Sequence, residues 1–121
     1  MDKVFVYGSL KEGFYNHDAL GDSELLGLFT TEPNYTMFDL GSYPGVMKGG
    51  STAILGEVYK ITPETLERLD YLEGYPGYYD RCVVDTKFGE AYLYHISAVD
   101  VEAAHDVMIV PAGEWNNDNE N

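Results

Sequence analysis

Basic side chains are scarce in this sequence. Its 121 residues hold seven Lys and Arg against twenty-one Asp and Glu, a formal charge of −14. Nucleic-acid binding needs clustered cations to neutralise phosphates, so the balance speaks strongly against it. Cysteine is nearly absent, and Cys82 alone cannot form an internal disulfide. No run approaches the ~18 apolar residues of a membrane span. The N-terminus also lacks the basic segment, apolar stretch and small-residue cleavage site of a signal peptide. The expectation is a soluble, cytoplasmic protein with no membrane partner. The three histidines are scattered, with no His-x-x-x-His pair and no cysteine cluster, so no metal site is expected.

What is present is enough for one core. The chain is 45% hydrophobic, with five Phe, eleven Tyr and one Trp, so an aromatic-rich interior or cleft is expected in a single domain. The domain is read as 1–111. The acidic stretch 112–121 is read as a flexible tail.

Short β-favouring runs punctuated by glycine dominate the chain. Val4 to Tyr7 is a continuous run of the kind buried on both faces. Strands are also expected over Leu25–Thr31, Tyr35–Leu40, Ile54–Ile61, Asp80–Thr86 and Glu90–Ile96, the last two pairing as a hairpin around Lys87-Phe88-Gly89. Gly56 marks a bulge or a close approach. Asn16 is placed to cap a short helical turn over His17–Leu20, closed by Gly21, and another short turn is read over Asp100–His105. Gly41 to Gly50 reads as a loop, its Tyr and Met content fitting the wall of a cleft. The clearest helix starts at Pro63, capped by Thr62, and stops at Gly74. One good helix among many strands indicates an α+β domain.

Two stretches carry chemistry. The first strand ends in Tyr7-Gly8-Ser9-Leu10-Lys11. A buried strand entering a glycine turn leaves successive N–H groups pointing one way, which suits a carboxylate or a developing oxyanion; it is also how a core strand ends in a tight turn. The second is a misplaced carboxylate. On the helix, Leu66, Leu69 and Glu73 share one narrow sector, with Leu72 beside them, so Glu73 lies on the apolar face. It also lies in the last turn, where the helix dipole disfavours an anion. Both placements raise its proton affinity, as a general base requires, unless the helix frays and the side chain swings out to solvent. Asp70 is the next candidate.

Tyr7-Gly8-Ser9-Leu10 resembles the Tyr-Gly-Ser/Thr-Leu signature of the γ-glutamylcyclotransferase superfamily, and within it the γ-glutamylamine cyclotransferase-like branch. The run from Leu69 through Glu73, Gly74, Tyr75, Pro76 and Tyr79 to Arg81 resembles that family's second signature, and Gly56-Glu57-Val58-Tyr59 fits its preceding strand. The resemblance implies a small mixed β-barrel with a central cavity, one main helix and short helical turns. It implies Glu73 as catalytic acid/base and Tyr7, Gly8, Ser9 and Leu10 as substrate-binding loop. Tyr79 joins them as a cleft contact, although alternating Tyr79, Tyr92 and Tyr94 also fit plain core packing. The implied reaction cyclises a γ-glutamyl amine or γ-glutamyl-amino acid to 5-oxoproline and frees the amine. It uses no cofactor and no metal, and is carried out by a monomer or weak homodimer.

Other chemistries fit less well. Ser9 with His17 lacks the Gly-x-Ser-x-Gly elbow of a serine hydrolase. Cys82 with His95 or His105 would make a thiol pair, but Cys82-Val83-Val84 reads as a buried, inert strand segment. Two readings from other classes stay open: a non-catalytic protein of the same fold that binds a small carboxylate, and an acidic protein that sequesters a basic partner.

Overall fold

The computed structural model describes residues 2–14, 16–41, 43–97 and 107–115. Strands β1 (Asp2–Val6), β2 (Glu24–Thr30), β3 (Tyr35–Asp39), β4 (Pro44–Lys48) and β5 (Leu55–Ile61) precede the helix α1 (Pro63–Glu73). Strands β6 (Tyr79–Thr86), β7 (Gly89–Ile96) and β8 (Met108–Ile109) follow it. A 3-10 turn over His17–Leu20 ends at Gly21, as expected. The short turn read over Asp100–His105 lies outside the described residues.

β1 is the middle of a five-stranded sheet ordered β2-β5-β1-β7-β6. It runs antiparallel to β5 and parallel to β7. Alternation along a strand sends successive side chains to opposite faces, and both faces of β1 are covered. Val4 and Val6 pack with Tyr59, Ile61, Tyr94, Ile96 and the helical Leu69. Phe5 and Tyr7 pack on the other face with Val58, Leu93 and the second sheet's Met37 and Val46. The two-sided burial read from the uninterrupted apolar run is therefore present.

The second sheet is ordered β4-β3-β8. Here the structure departs from the sequence reading, because Pro44–Lys48, inside the expected loop Gly41–Gly50, is a strand paired with β3. Its Pro44 stands at the strand's first position, where the missing N–H does least harm. Its glycine is there for packing. A Cβ on Gly45 would lie 2.8 Å from Leu40 Cδ1 and 3.0 Å from Ile96 Cγ2. Gly56 on β5 is likewise a close-approach site, since a Cβ there would meet the Val6 carbonyl oxygen at 2.3 Å. The bulge lies elsewhere, between Leu25 and Gly27 of β2.

The architecture is α+β, as expected, with one α-helix among the described residues. The ladders among the described residues form two sheets, and tyrosine hydroxyls bridge them. Tyr79 donates to the Pro44 carbonyl at 2.6 Å, and Tyr7 accepts from the Val46 N–H at 3.3 Å. The helix forms where its signals put it. Thr62 accepts from the Thr65 N–H at 3.2 Å, and Gly74 closes the far end in the left-handed conformation, φ 68°. Arg68 donates to the Ala19 carbonyl, tying α1 to the 3-10 turn.

The packed body continues past 111. The carbonyl of Gly113 accepts from the Leu55 N–H, and Trp115 is fully buried in the core between the sheets. Only 116–121 of the stretch read as tail lie outside the described residues. Truncating a buried Trp removes its burial and leaves a cavity. Trp115→Ala is therefore expected to lower the unfolding free energy by ~3–5 kcal/mol in urea denaturation. A flexible tail would give a change within ~0.5 kcal/mol.

Candidate active site

The turn after β1 and the last turn of α1 meet. A small cavity of about 20 Å³, the size of one water molecule, is lined by Phe5 to Leu10 on one side and by Glu73 and Tyr94 on the other. A larger cavity of about 340 Å³ opens to solvent beside it, walled by Asn16, Tyr43, Tyr71, Leu72, Gly74, Tyr78 and Tyr79. Ser9 and Glu73 line both cavities. The two stretches singled out in the sequence, sixty-four residues apart, thus form one site.

The loop is shaped by its own backbone. Lys11 N–H donates to the Gly8 carbonyl and Asn16 N–H to the Ser9 carbonyl, both at 3.0 Å. The N–H groups of Gly8, Ser9 and Leu10 take part as donors in none of the turn and loop hydrogen bonds of the described residues. Asn16 does not cap the 3-10 turn with its side chain, as the sequence reading had it. Its Nδ2 donates instead to Ser9 Oγ at 2.9 Å, fixing the hydroxyl at the boundary of the two cavities. Gly8 has no left-handed φ; it is required because a Cβ would stand 2.7 Å from Pro44 Cγ.

Glu73 is partly buried and sits one turn beyond the fully buried Leu69 on the inward side of the helix. Leu72, expected beside the apolar stripe, is instead 42% exposed at the mouth of the outer cavity. Burial penalises the charged carboxylate and pushes the Glu73 carboxyl from 4.5 up to about 7. The hydroxyls around it are moved in turn. Burial, with the Glu73 charge adding to it, holds Tyr7 well above its ordinary value, and burial with the neighbouring Tyr7 and Glu73 does the same for Tyr79.

Tyr7 and Tyr79 have structural partners as well. Tyr7 donates to the Tyr94 carbonyl at 2.8 Å while accepting from Val46, and Tyr79 donates to Pro44. Their hydroxyls are thus engaged within the fold while their rings wall the cavities. Asp70 is engaged too. It forms an ion pair with Arg81 and accepts from the Tyr94 hydroxyl at 2.6 Å, and Arg81 is stacked between the rings of Tyr75 and Tyr92. Both Asp70 oxygens are engaged by these partners, and Asp70 lines neither cavity, so Glu73 stands ahead of it as a base.

Among the described residues the competing constellations are not assembled. His17 turns its Nδ1 to the Leu10 carbonyl at 2.9 Å rather than to Ser9. Burial pushes the Cys82 thiol up, away from the thiolate a nucleophile needs. His105 lies outside the described residues. Asn16, Tyr43, Tyr71 and Tyr78 are wall residues that the sequence reading did not place in the site. Only the aromatic content of the Gly41–Gly50 stretch signalled one of them, Tyr43.

Comparison with known proteins gives the chain its family. The family model described as gamma-glutamyl cyclotransferase, AIG2-like, matches residues 4–117, both site stretches included. The chain belongs to that family. A Vibrio cholerae protein provisionally named a gamma-glutamylcyclotransferase is 41% identical over 112 residues, covering 93% of each chain. The Escherichia coli gamma-glutamylcyclotransferase family protein YtfP is 35% identical, and its solution structure superposes with a TM-score of 0.72 over 97% of this chain and 98% of its own. A mouse AIG2-like protein has the same fold, with a TM-score of 0.75 at 22% identity, covering 100% of this chain and 98% of its own.

The position of Glu73 has a consequence for stability. Its folded-state proton affinity lies above the ordinary one, so its stabilising contribution is fully present below about pH 4.5 and is lost as pH rises through about 7. Above that, the ionised carboxylate burdens the fold by on the order of 2–3 kcal/mol. Glu73→Gln keeps the shape without the charge. The variant is expected to resist urea better than the parent at pH 8, by ~1–3 kcal/mol, and to match it near pH 4. A loss of stability at pH 8 would indicate that the carboxylate is held by a structural partner.

Proposed function

We propose that this protein cyclises a γ-glutamyl conjugate to 5-oxoproline and releases the amine, with Glu73 as general acid and base. The observation that carries the reading is that the partly buried Glu73 and the Gly8-Ser9-Leu10 turn, distant in sequence, line one cavity. Family membership supports the same chemistry.

The substrate's α-amino group and γ-carbonyl belong to one molecule, so folding the glutamyl group into a near-attack shape supplies much of the effect. The N–H groups of Gly8, Ser9 and Leu10, with the Ser9 hydroxyl fixed by Asn16, receive the α-carboxylate or the oxyanion. Glu73 as carboxylate takes one proton from the α-ammonium group, leaving an amine that can attack. The new C–N bond closes the five-membered ring. Glu73 then gives its proton to the departing nitrogen as the old amide bond breaks. The ring nitrogen's second proton returns to the carboxylate and leaves with the amine, which departs as its ammonium ion. No water is consumed and the glutamate ends as it began. The engaged hydroxyls of Tyr7 and Tyr79 shape the pocket around these steps.

Incubation with γ-glutamyl amines and γ-glutamyl-amino acids, followed by measurement of 5-oxoproline, tests the reading. Glu73→Gln is expected to lose ~10²–10⁴-fold in kcat while still binding substrate. In the parent, kcat/KM is expected to rise with pH through an apparent pKa near 7, the value burial gives the carboxyl. Parent-like turnover in the glutamine variant would remove Glu73 from this role.

A further inference from the structure

Arg81 lines neither cavity, yet it bears on where Glu73 stands. The end of α1 is tied by a pair of backbone hydrogen bonds. Gly74 N–H donates to the Tyr71 carbonyl at 3.2 Å, and Tyr75 N–H donates to the Asp70 carbonyl at 2.8 Å. In this kind of closure a left-handed glycine reverses the chain, and an apolar contact between the residues at the two ends commonly fastens it. Those residues here are Asp70 and Tyr75, and Glu73 lies between them. An Asp carboxylate offers no apolar surface to Tyr75, and Arg81 takes the place of that contact.

The Arg81 guanidinium pairs with the Asp70 carboxylate, and its central carbon lies 4.4 Å from the Tyr75 ring centroid and 4.8 Å from that of Tyr92. One planar cation therefore spans both ends of the closure and joins it to β7, which carries Tyr92. The other Asp70 oxygen accepts from the hydroxyl of Tyr94, which lines the smaller cavity with Glu73. Burial is what raises the Glu73 carboxyl to about 7, so its proton affinity depends on where the helix end is held. The titratable groups that face it are tyrosines: Tyr7 after β1, Tyr79 from β6 and Tyr94 from β7, with Tyr43 and Tyr78 at the outer cavity.

We propose that Arg81 is a positioning residue for Glu73: by joining Asp70, Tyr75 and Tyr92 it fixes the helix closure that keeps the carboxyl at the cavity beside the Gly8 turn. Lysine would keep the charge but not the planar face that stacks on both rings. The part of Arg81 in turnover rests on the cyclising reading above, whereas its hold on the carboxyl does not.

Two readouts test it, an NMR titration that resolves the Glu73 carboxyl and steady-state kinetics of 5-oxoproline formation from γ-glutamyl conjugates. In Arg81→Met the Glu73 titration is expected to fall from about 7 toward the ordinary 4.5, as the released helix end lets the carboxyl reach water. At pH 8 kcat is expected to drop ~10–100-fold through misplacement of the base. KM should move far less, because the Gly8 to Leu10 turn is untouched. Arg81→Lys is expected to lie between Arg81→Met and the parent in both readouts. Tyr75→Leu leaves the ion pair in place and removes one stacking ring. It should shift both readouts in the same direction as Arg81→Met, and it stands in for that variant if the latter does not fold. An unmoved Glu73 titration, or parental kcat, in the folded variants would overturn the inference. If the parent turns over no γ-glutamyl conjugate, the cyclising reading fails, and the titration alone decides whether Arg81 holds the carboxyl.

Discussion

The burial of β1 on both faces is the constraint from which the site follows. A strand between β5 and β7 with helix on one side and a second sheet on the other has no freedom to shift by one residue. Such a slip would exchange Val4 and Val6 with Phe5 and Tyr7 and refill both cores wrongly. The end of β1 is therefore held firmly, and the turn beginning at Gly8 is delivered to one place. Pro44 closes against that glycine, and the first strand of the second sheet is thereby set against the loop. A rigid element supporting an open backbone turn is what an anion-receiving site requires.

Two acidic side chains one turn apart on α1 meet opposite environments. Asp70 faces Arg81 and the Tyr94 hydroxyl, and its charge is compensated on both oxygens. Glu73 faces tyrosines whose hydroxyls already serve Pro44, Val46 and the Tyr94 carbonyl. Burial raises the Glu73 carboxyl, whereas Asp70 has a cation and a hydroxyl as partners. The Asp70 network also grips the segment on either side of Glu73. Arg81 holds Asp70 before it and stacks on Tyr75 after it, while Tyr75 N–H donates to the Asp70 carbonyl at 2.8 Å. The chain's few cations are thus spent partly on holding the helix end still.

Much of this was legible in the sequence wherever a local signal and the tertiary environment agree. Thr62, Pro63 and Gly74 delimit the helix by their own backbone preferences, and the stripe containing Leu69 sets the side on which Glu73 emerges. The apolar run of β1 declares its two-sided burial. The signals failed where a residue is chosen for packing. Pro44 and Gly45 carry turn chemistry but lie in a strand, because Leu40 and Ile96 leave no room for a side chain. Trp115 stands among acidic and amide residues that read as solvated, yet its indole fills the space between the sheets. Asn16 looked like a cap and is a brace for Ser9, a contact that depends on how the loop folds back. The aromatic wall of Tyr43, Tyr71 and Tyr78 comes from two distant segments whose meeting no periodicity reveals.

The parallel pairing of β1 with β7 bears on how the molecule reaches this state. Val4 lies beside Tyr92, so the central ladder joins segments more than half the chain apart, and the intervening residues must be gathered before that pair can form. Helix α1 and the β6–β7 hairpin are local and can form early, whereas the sheet they join is closed by a distant contact. The Gly8 turn and Glu73 likewise belong to segments far apart in the chain, brought together by the long-range ladders of β1. A chain whose local elements have formed but whose long-range ladders have not holds the two halves of the site apart.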